Sequence, residues 1–247
     1  MEHPTQALVL AAGLGSRMAP ITDHTPKPLL PFFCVPLLDL AVGKLVDADV
    51  SRIAINTHHL AAAVADHVKS SLASRYPDVS FHLSHEATIR GTGGALDVLR
   101  DWFQRGPFWV VNSDAVFDQD LKTLSEWHQL AGHDATLMVT RDPAHRALRF
   151  LSTGPEGFLR ERTPEATEDG AAFCGVHLNS WSLLDVLPRG EESCVLRQGH
   201  LPWAAQGARV ALFETRQFWA DLGTPERYLG AHNVAYRQLC RPRAIIR

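Results

Sequence analysis

Several things are missing from this chain, and each absence removes a class of protein. None of its apolar runs approaches the roughly 18 residues that a membrane-spanning helix needs, and Met1-Glu2-His3-Pro4 lacks the charged-then-apolar layout of a secretion signal. A cytoplasmic protein is therefore expected, with no membrane partner. Cysteine is sparse: Cys34, Cys174, Cys194 and Cys240 form no C-x-x-C pair, and read as small buried hydrophobes in a reducing compartment. Thirteen histidines are present, but only His58 and His59 are adjacent. No H-x-x-x-H pair stands beside a carboxylate, which argues against a dedicated zinc site. A formal net charge of -3 provides neither a basic surface for nucleic acid nor an acidic tail. Internal repeats, low-complexity stretches and linker-like breaks in composition are also absent.

What remains is an ordinary globular composition, 45% apolar and 21% charged over 247 residues. Ala7 to Ala12 is a short apolar run ending at Gly13, as expected of a strand buried on both faces. Arg52–Asn56, Val79–Leu83 and Phe108–Val111 continue the strand series. Helices are predicted at Leu37–Ala48, at Leu60–Ser71 and from Gly91. This alternation predicts a parallel sheet with right-handed crossovers. Gly13 and Asp114 then both fall just past carboxyl ends of strands, where such sheets bind ligands. Further on, the pattern predicts strands at Ala135–Thr140, Phe173–Leu178 and Val210–Phe213, and a hairpin across Leu148–Arg160. A polar loop is expected at Pro164–Gly170, and helices at Trp181–Leu187, Val195–Ala205 and Pro225–Leu239. One domain spanning 1–247 is expected, in two halves, 1–130 and 131–247.

The segment Ala11-Ala12-Gly13-Leu14-Gly15-Ser16-Arg17-Met18 follows the first strand directly. Its two glycines let backbone N–H groups turn inward as an anion-binding nest, and Arg17 adds a fork of donors suited to phosphate. Lys27 lies between Pro26 and Pro28, a rigid and extended presentation. Position 18 is Met, so the third glycine of a dinucleotide fingerprint is missing. Alone, the glycine pair is weak evidence for a phosphate loop, since glycine pairs are commonest as plain turns.

Leu10 to Met18, Pro20, Thr22 and Pro26-Lys27-Pro28-Leu29 together resemble the signature of the sugar-1-phosphate nucleotidyltransferases. The resemblance continues at Glu86, at Gly91-Thr92-Gly93-Gly94, at Asn112-Ser113-Asp114, at Phe173-Cys174-Gly175-Val176 and from Trp219 through Arg227. Short length and the spacing from Glu86 to the glycines are most similar to members acting on N-acetylmuramate, mannose or heptose 1-phosphate. A C-terminal left-handed β-helix is not seen, so the bifunctional acetyltransferase members are not expected.

The resemblance implies a Rossmann-like three-layer α/β/α fold with a mixed, mostly parallel central sheet. It also implies Mg²⁺-dependent transfer of a nucleoside monophosphate from a nucleoside triphosphate to a sugar 1-phosphate, releasing pyrophosphate. Nucleotide-binding roles fall on Ala11, Ala12, Gly13, Leu14, Gly15, Ser16, Arg17, Glu86, Thr92, Gly93 and Gly94. Arg17 would hold the departing pyrophosphate and Lys27 would bridge the reacting phosphates. Asp114 and Asp221 would hold the metal, with Asp114 counted among the catalytic groups. Asn112, Glu161, Arg162 and Gly175 would meet the sugar phosphate. Two departures stand out: Arg162 replaces a usual lysine, and Ser113 replaces a glycine before the metal Asp. For Glu86 the alternative is a plain surface glutamate, for Gly91–Gly94 a glycine-rich helix cap, and for Asp114 a strand-end turn residue. Rival readings of the whole chain are a phosphocholine cytidylyltransferase on the same scaffold, a catalytically dead regulatory homologue and a glycosyltransferase. The last conflicts with Asp118 lying too far from Asp114 for an Asp-x-Asp pair. A monomer or small homo-oligomer is expected; the base and the sugar are left open.

Overall fold

The computed structural model describes residues 3–239; Cys240 lies outside them. Thirteen strands are present: β1 (Gln6–Leu10), β2 (Pro31–Phe32), β3 (Val35–Pro36), β4 (Arg52–Thr57), β5 (Ser80–His85), β6 (Phe108–Asn112), β7 (Ala115–Phe117), β8 (Ala135–Thr140), β9 (Arg149–Thr153), β10 (Leu159–Arg162), β11 (Ala171–Asn179), β12 (Val210–Glu214) and β13 (Trp219–Asp221). The helices are α1 (Leu37–Asp47), α2 (Ala61–His67), α3 (Ala73–Arg75), α4 (Gly91–Val98), α5 (Leu121–Ala131), α6 (Leu183–Val186), α7 (Leu201–Ala205) and α8 (Pro225–Leu239).

Nine strands form the main sheet, along the path β10-β9-β11-β6-β1-β4-β5, with β8 joined to β11 and β12 to β8. The pairs β1–β4, β1–β6, β4–β5 and β8–β12 are parallel. Strand β11 runs antiparallel to β6, β8 and β9. The sheet is therefore mixed.

The central strands read as unbroken apolar runs because both of their faces are covered. Ala7, Val9, Ile53, Ile55, Trp109 and Val111 point to one face, where α1, α2 and α5 contribute Leu38, Leu45, Val64 and Leu121. Leu8, Ala54, Phe108 and Val110 point to the other, against Leu96 of α4, Leu184 of α6 and Trp203 of α7. The period-2 alternation of a strand thus feeds two cores in a three-layer arrangement.

Helix α5, the small β2–β3 ribbon and strand β7 were not expected. Helix α5 has Asp120 as its N-cap, the carboxylate accepting from Lys122 N at 2.9 Å, and ends at Gly132 in the left-handed region (φ 64°). Strands β7 and β13 form a small antiparallel ribbon with Asp221 opposite Ala115. Its outer face carries Val116, Ala220 and Leu222, which pack with Met18, Phe32 and the α8 residues Ala231 and Ala235.

The expected helix at 60–71 divides into α2, a wider turn at 68–72 and α3. The one at 195–205 divides in the same way, into a wide turn at 195–200 and α7. Of the described cysteines only Cys174 is buried; Cys34 is exposed and Cys194 is intermediate, which corrects the expectation for those two. No helix among the described residues is long and apolar enough to cross a membrane.

Candidate active site

A cleft of about 420 Å³ opens over the carboxyl ends of β1, β4 and β6. It is walled by residues 10–17 and by Lys27, Asn56, Glu86, Gly91, Thr92, Asn112, Ser113, Asp114 and Gly223, among others. The loop after β1 takes its shape from both ends. Ala11 N–H donates to Asn56 Oδ1 at 2.7 Å, and Met18, 2% exposed, anchors the far end in the apolar core.

Gly15 stands between these anchors with φ +68°, and a Cβ there would lie 2.8 Å from Thr22 Cγ2 and 3.3 Å from Lys27 Cβ. Only glycine satisfies both the backbone angle and the close approach. The Gly15 carbonyl accepts from Thr22 Oγ1 at 2.9 Å, and the Thr22 carbonyl bonds to His59 Nε2 at 2.7 Å. Gly13, Leu14, Ser16 and Arg17 are left facing the cleft. Arg17 is exposed and forms no ion pair among the described residues.

Lys27 does not extend from a straight segment, as its flanking prolines suggested. Pro26 is extended (φ -62°, ψ 138°), but Lys27 begins a tight 3-10 turn that includes Pro28. The turn sends the lysine inward, where it ion-pairs with Asp114 across 87 residues of sequence.

Asp114 sits in the turn between β6 and β7, and its carbonyl accepts from Leu222 N at 3.0 Å, which locks it beside the end of β13. Of the two carboxylates expected to hold metal, Asp114 thus stands just before β7 and Asp221 ends β13, the strand paired with β7. Asp221 Oδ2 accepts from Arg227 Nη1 at 2.8 Å, whereas Asp221 Oδ1 is buried without a partner. A Cβ on Gly223 would lie 2.6 Å from that oxygen and 2.9 Å from Arg17 Nη2. The glycine thus keeps open a gap between an unmet carboxylate oxygen and a guanidinium.

Among the described residues no group of three or more His, Cys, Asp or Glu side chains is placed to hold a metal. Two carboxylates with one bare oxygen suit Mg²⁺, which takes few protein ligands and completes its shell with phosphate oxygens and water. Zinc, with its closed nitrogen and sulfur cages, does not fit.

Glu86 is 3% exposed, which overturns the surface alternative. Its Oε1 accepts from Asn56 Nδ2 at 2.8 Å, and its Oε2 from Arg90 N at 3.0 Å. A relay from Ala11 through Asn56 to Glu86 thus ties the loop after β1 to the ends of β4 and β5. His58 Nδ1 adds a bond to the Glu86 carbonyl at 2.7 Å. Asn56, His58 and His59 were missed as site residues. The adjacent histidines were visible in the sequence but were weighed only as metal ligands.

The glycines of the second motif need correction. Gly91 and Thr92 line the cleft, whereas Gly93 and Gly94 lie beneath it. Gly93 N donates to Ser193 O at 2.8 Å, and a Cβ on Gly93 would lie 2.6 Å from Ser193 Oγ. Their lack of side chains admits the 191–195 segment, not a nucleobase. Thr92 Oγ1 accepts from Val195 N at 2.9 Å in the same clamp.

Of the residues expected to meet the sugar phosphate, Asn112 lines the cleft and packs against Gly175 (φ +74°), where a Cβ would lie 2.6 Å from Asn112 Nδ2. Ser113 is buried, and its N–H bonds to Leu10 O at 3.1 Å. Glu161 and Arg162 are not brought to the cleft wall. They sit on β10, the edge strand paired to β9, where Glu161 ion-pairs with Arg160 and Arg162 stacks over Phe150 at 4.7 Å. A second cavity of about 340 Å³ is lined by Asp221, His145, Arg216, Phe218, Arg227 and Val234 among others.

Residues 6–150 match the sequence model of a family described as Nucleotidyl transferase. A mannose-1-phosphate guanyltransferase beta-A of Xenopus laevis is 26% identical over 229 residues, 91% of this chain and 62% of the relative. The chain thus spans about three fifths of the length of that relative. Among solved structures, a putative glucose-1-phosphate thymidylyltransferase from Bacillus anthracis, in complex with sucrose, superposes with a TM-score of 0.78. It is 22% identical, and the match covers 93% of this chain and 94% of that one. HddC from Yersinia pseudotuberculosis, complexed with GMP-PN, gives 0.76 at 20% identity, covering 94% and 99%. At these identities the structures bear on the fold, which is that of a Rossmann-like nucleotidyltransferase.

Proposed function

The chain belongs to the nucleotidyl transferase family, and on that premise we propose that it joins a sugar 1-phosphate to a nucleoside monophosphate drawn from a nucleoside triphosphate, releasing pyrophosphate. The observation that carries this reading is the ion pair of Lys27 with Asp114 in a cleft floored by the Ala11–Arg17 loop. A cation and a carboxylate beside that loop support the reading, because transfer needs both charges near the α-phosphate of a triphosphate held there.

The attacking oxygen belongs to a phosphate monoester whose second pKa is about 6, so it is largely ionised at neutral pH and needs no general base. Alignment and charge neutralisation would then supply the catalysis. The 11–16 backbone would wrap the triphosphate. Arg17 would hold the leaving pyrophosphate, and Lys27 would leave Asp114 to bridge the reacting phosphates. Asp114 and Asp221 would hold Mg²⁺, whose contribution is neutralising charge on the transferred phosphoryl group. Asn112 would reach the sugar side, with Glu161 and Arg162 taking part only if the β9–β10 hairpin moves inward. The relatives' names favour GTP and mannose 1-phosphate as the first pair to try.

The test is pyrophosphate release with GTP, UTP, CTP and dTTP, each against mannose, N-acetylmuramate and heptose 1-phosphates and phosphocholine, with Mg²⁺. Release with a sugar phosphate is expected. Release with phosphocholine and CTP alone would replace the substrate class, and no release from any pair would end the transferase reading.

A further inference from the structure

Asp221 has a partner that the phosphate cleft does not supply. Arg227, in the first turn of α8, bonds Asp221 Oδ2 at 2.8 Å, and the two residues line the second cavity and not the first. The other carboxylate oxygen is buried, meets no donor, and borders the gap kept open by Gly223 beside Arg17. The carboxylate is therefore split: Arg227 holds one oxygen, and the other is left without a donor. Asp114 is likewise taken by Lys27. A divalent ion approaching the free protein meets two carboxylates already neutralised by two side-chain cations.

From this arrangement we infer that Arg227 is a positioning residue, an ionic latch that limits Asp221 to one ligating oxygen and keeps divalent cations weakly bound until the triphosphate arrives. The inference rests on the reading of Asp114 and Asp221 as metal ligands. The triphosphate draws Lys27 and Arg17 onto its own oxygens and so frees Asp114. Arg227, reaching Asp221 from the second cavity, has no phosphate to follow and stays in place. The metal then enters together with the triphosphate, and Oδ1 of Asp221 is the oxygen that receives it.

The test is a Mn²⁺ titration of the full chain without nucleotide, following free Mn²⁺ by electron paramagnetic resonance. The variants are R227K, R227M, R227Q and D221N/R227M, with folding checked by circular dichroism. Loss of a unit positive charge at contact distance predicts Mn²⁺ binding about tenfold tighter in R227M and R227Q. R227K keeps the charge and stays near wild type, and D221N/R227M loses the gain. Folded R227M and R227Q that bind Mn²⁺ no more tightly than wild type would overturn the inference, as would a gain that survives D221N. A silent substrate panel combined with tightened R227M binding would remove the transferase reading and leave the latch. An active panel with unchanged R227M and R227Q binding would do the reverse.

Discussion

Replacing Asn56 with leucine strips two buried partners at once, the Ala11 N–H and one oxygen of Glu86. Each unmet buried polar group costs about 1–3 kcal/mol. N56L should therefore lower the thermal midpoint by several degrees and raise KM for the nucleotide more than it lowers kcat; an unchanged KM would contradict the relay. Gly223→Ala probes the site without touching the core. Its φ lies outside the left-handed region, but its Cβ would press on Asp221 Oδ1 and Arg17 Nη2. Turnover should fall at least about 100-fold, the size seen when one preorganised transition-state contact is lost, with little change in melting temperature. Full activity would show that the gap has no role.

At this scale the sequence was most legible where a residue type has few structural uses. Arg17 and Lys27 stood in segments whose glycines and prolines fix the backbone, Asp114 stood just past an apolar strand, and all three reach the cleft. Asn56 was not legible, because a polar residue closing a strand looks like any strand-end residue until its partners are known. Gly93 and Gly94 misled for a related reason. The need for an absent side chain is visible in sequence, but whether a ligand or the Ser193 backbone fills that space is not.

Among the elements, the buried strands and α8 were read closely because their periodicity is uninterrupted. Helix α5 was missed because its inner face mixes Leu121 and Leu124 with Ser125 and His128, which blurs the apolar stripe. Its caps, Asp120 and Gly132, were the available signal. The β7–β13 ribbon has three residues per strand, too few for alternation to register.

Buried histidines give this level its own prediction. His128 on α5 bonds Thr136 on β8 at 2.9 Å, and burial pushes its pKa down to about 4. His177 on β11 is likewise held down to about 4 by burial, and His200 well below its ordinary value by burial and by the nearby His177 ring. Both rings bond to Asn179 Oδ1, at 3.1 and 2.8 Å. All three are neutral in the fold but protonate in the unfolded chain below about pH 6.5. Between pH 6.5 and 4 the unfolded state binds more protons, so stability falls as pH drops and is flat above that window with respect to these groups. At pH 5 His128 and His177 each contribute about 2 kcal/mol of loss, from 1.36 kcal/mol per unit, and His200 acts in the same direction. Urea midpoints should decline steeply from pH 7 to 5, and H128L should shallow the slope. A slope unaffected by H128L would refute its share.

For the molecule as a whole, β11 leaves the second half of the chain to pair directly with β6 in the first. The sheet also positions the ribbon that carries Asp221 next to Asp114. The two halves expected from sequence thus share one sheet, and calorimetry should give a single unfolding transition; two resolved transitions would contradict this. The overall class was readable from the strand–helix alternation, whereas the antiparallel placement of β11 was not, because strand direction has no sequence period.

Metal-dependent transfer at Asp114, as proposed, is tested by pyrophosphate release from wild type and D114N with the productive substrate pair, in Mg²⁺ and in excess EDTA. Wild type should release pyrophosphate in Mg²⁺ and none in EDTA, and D114N should lose at least about 1,000-fold. Equal rates for wild type and D114N, or turnover that persists in EDTA, would contradict it.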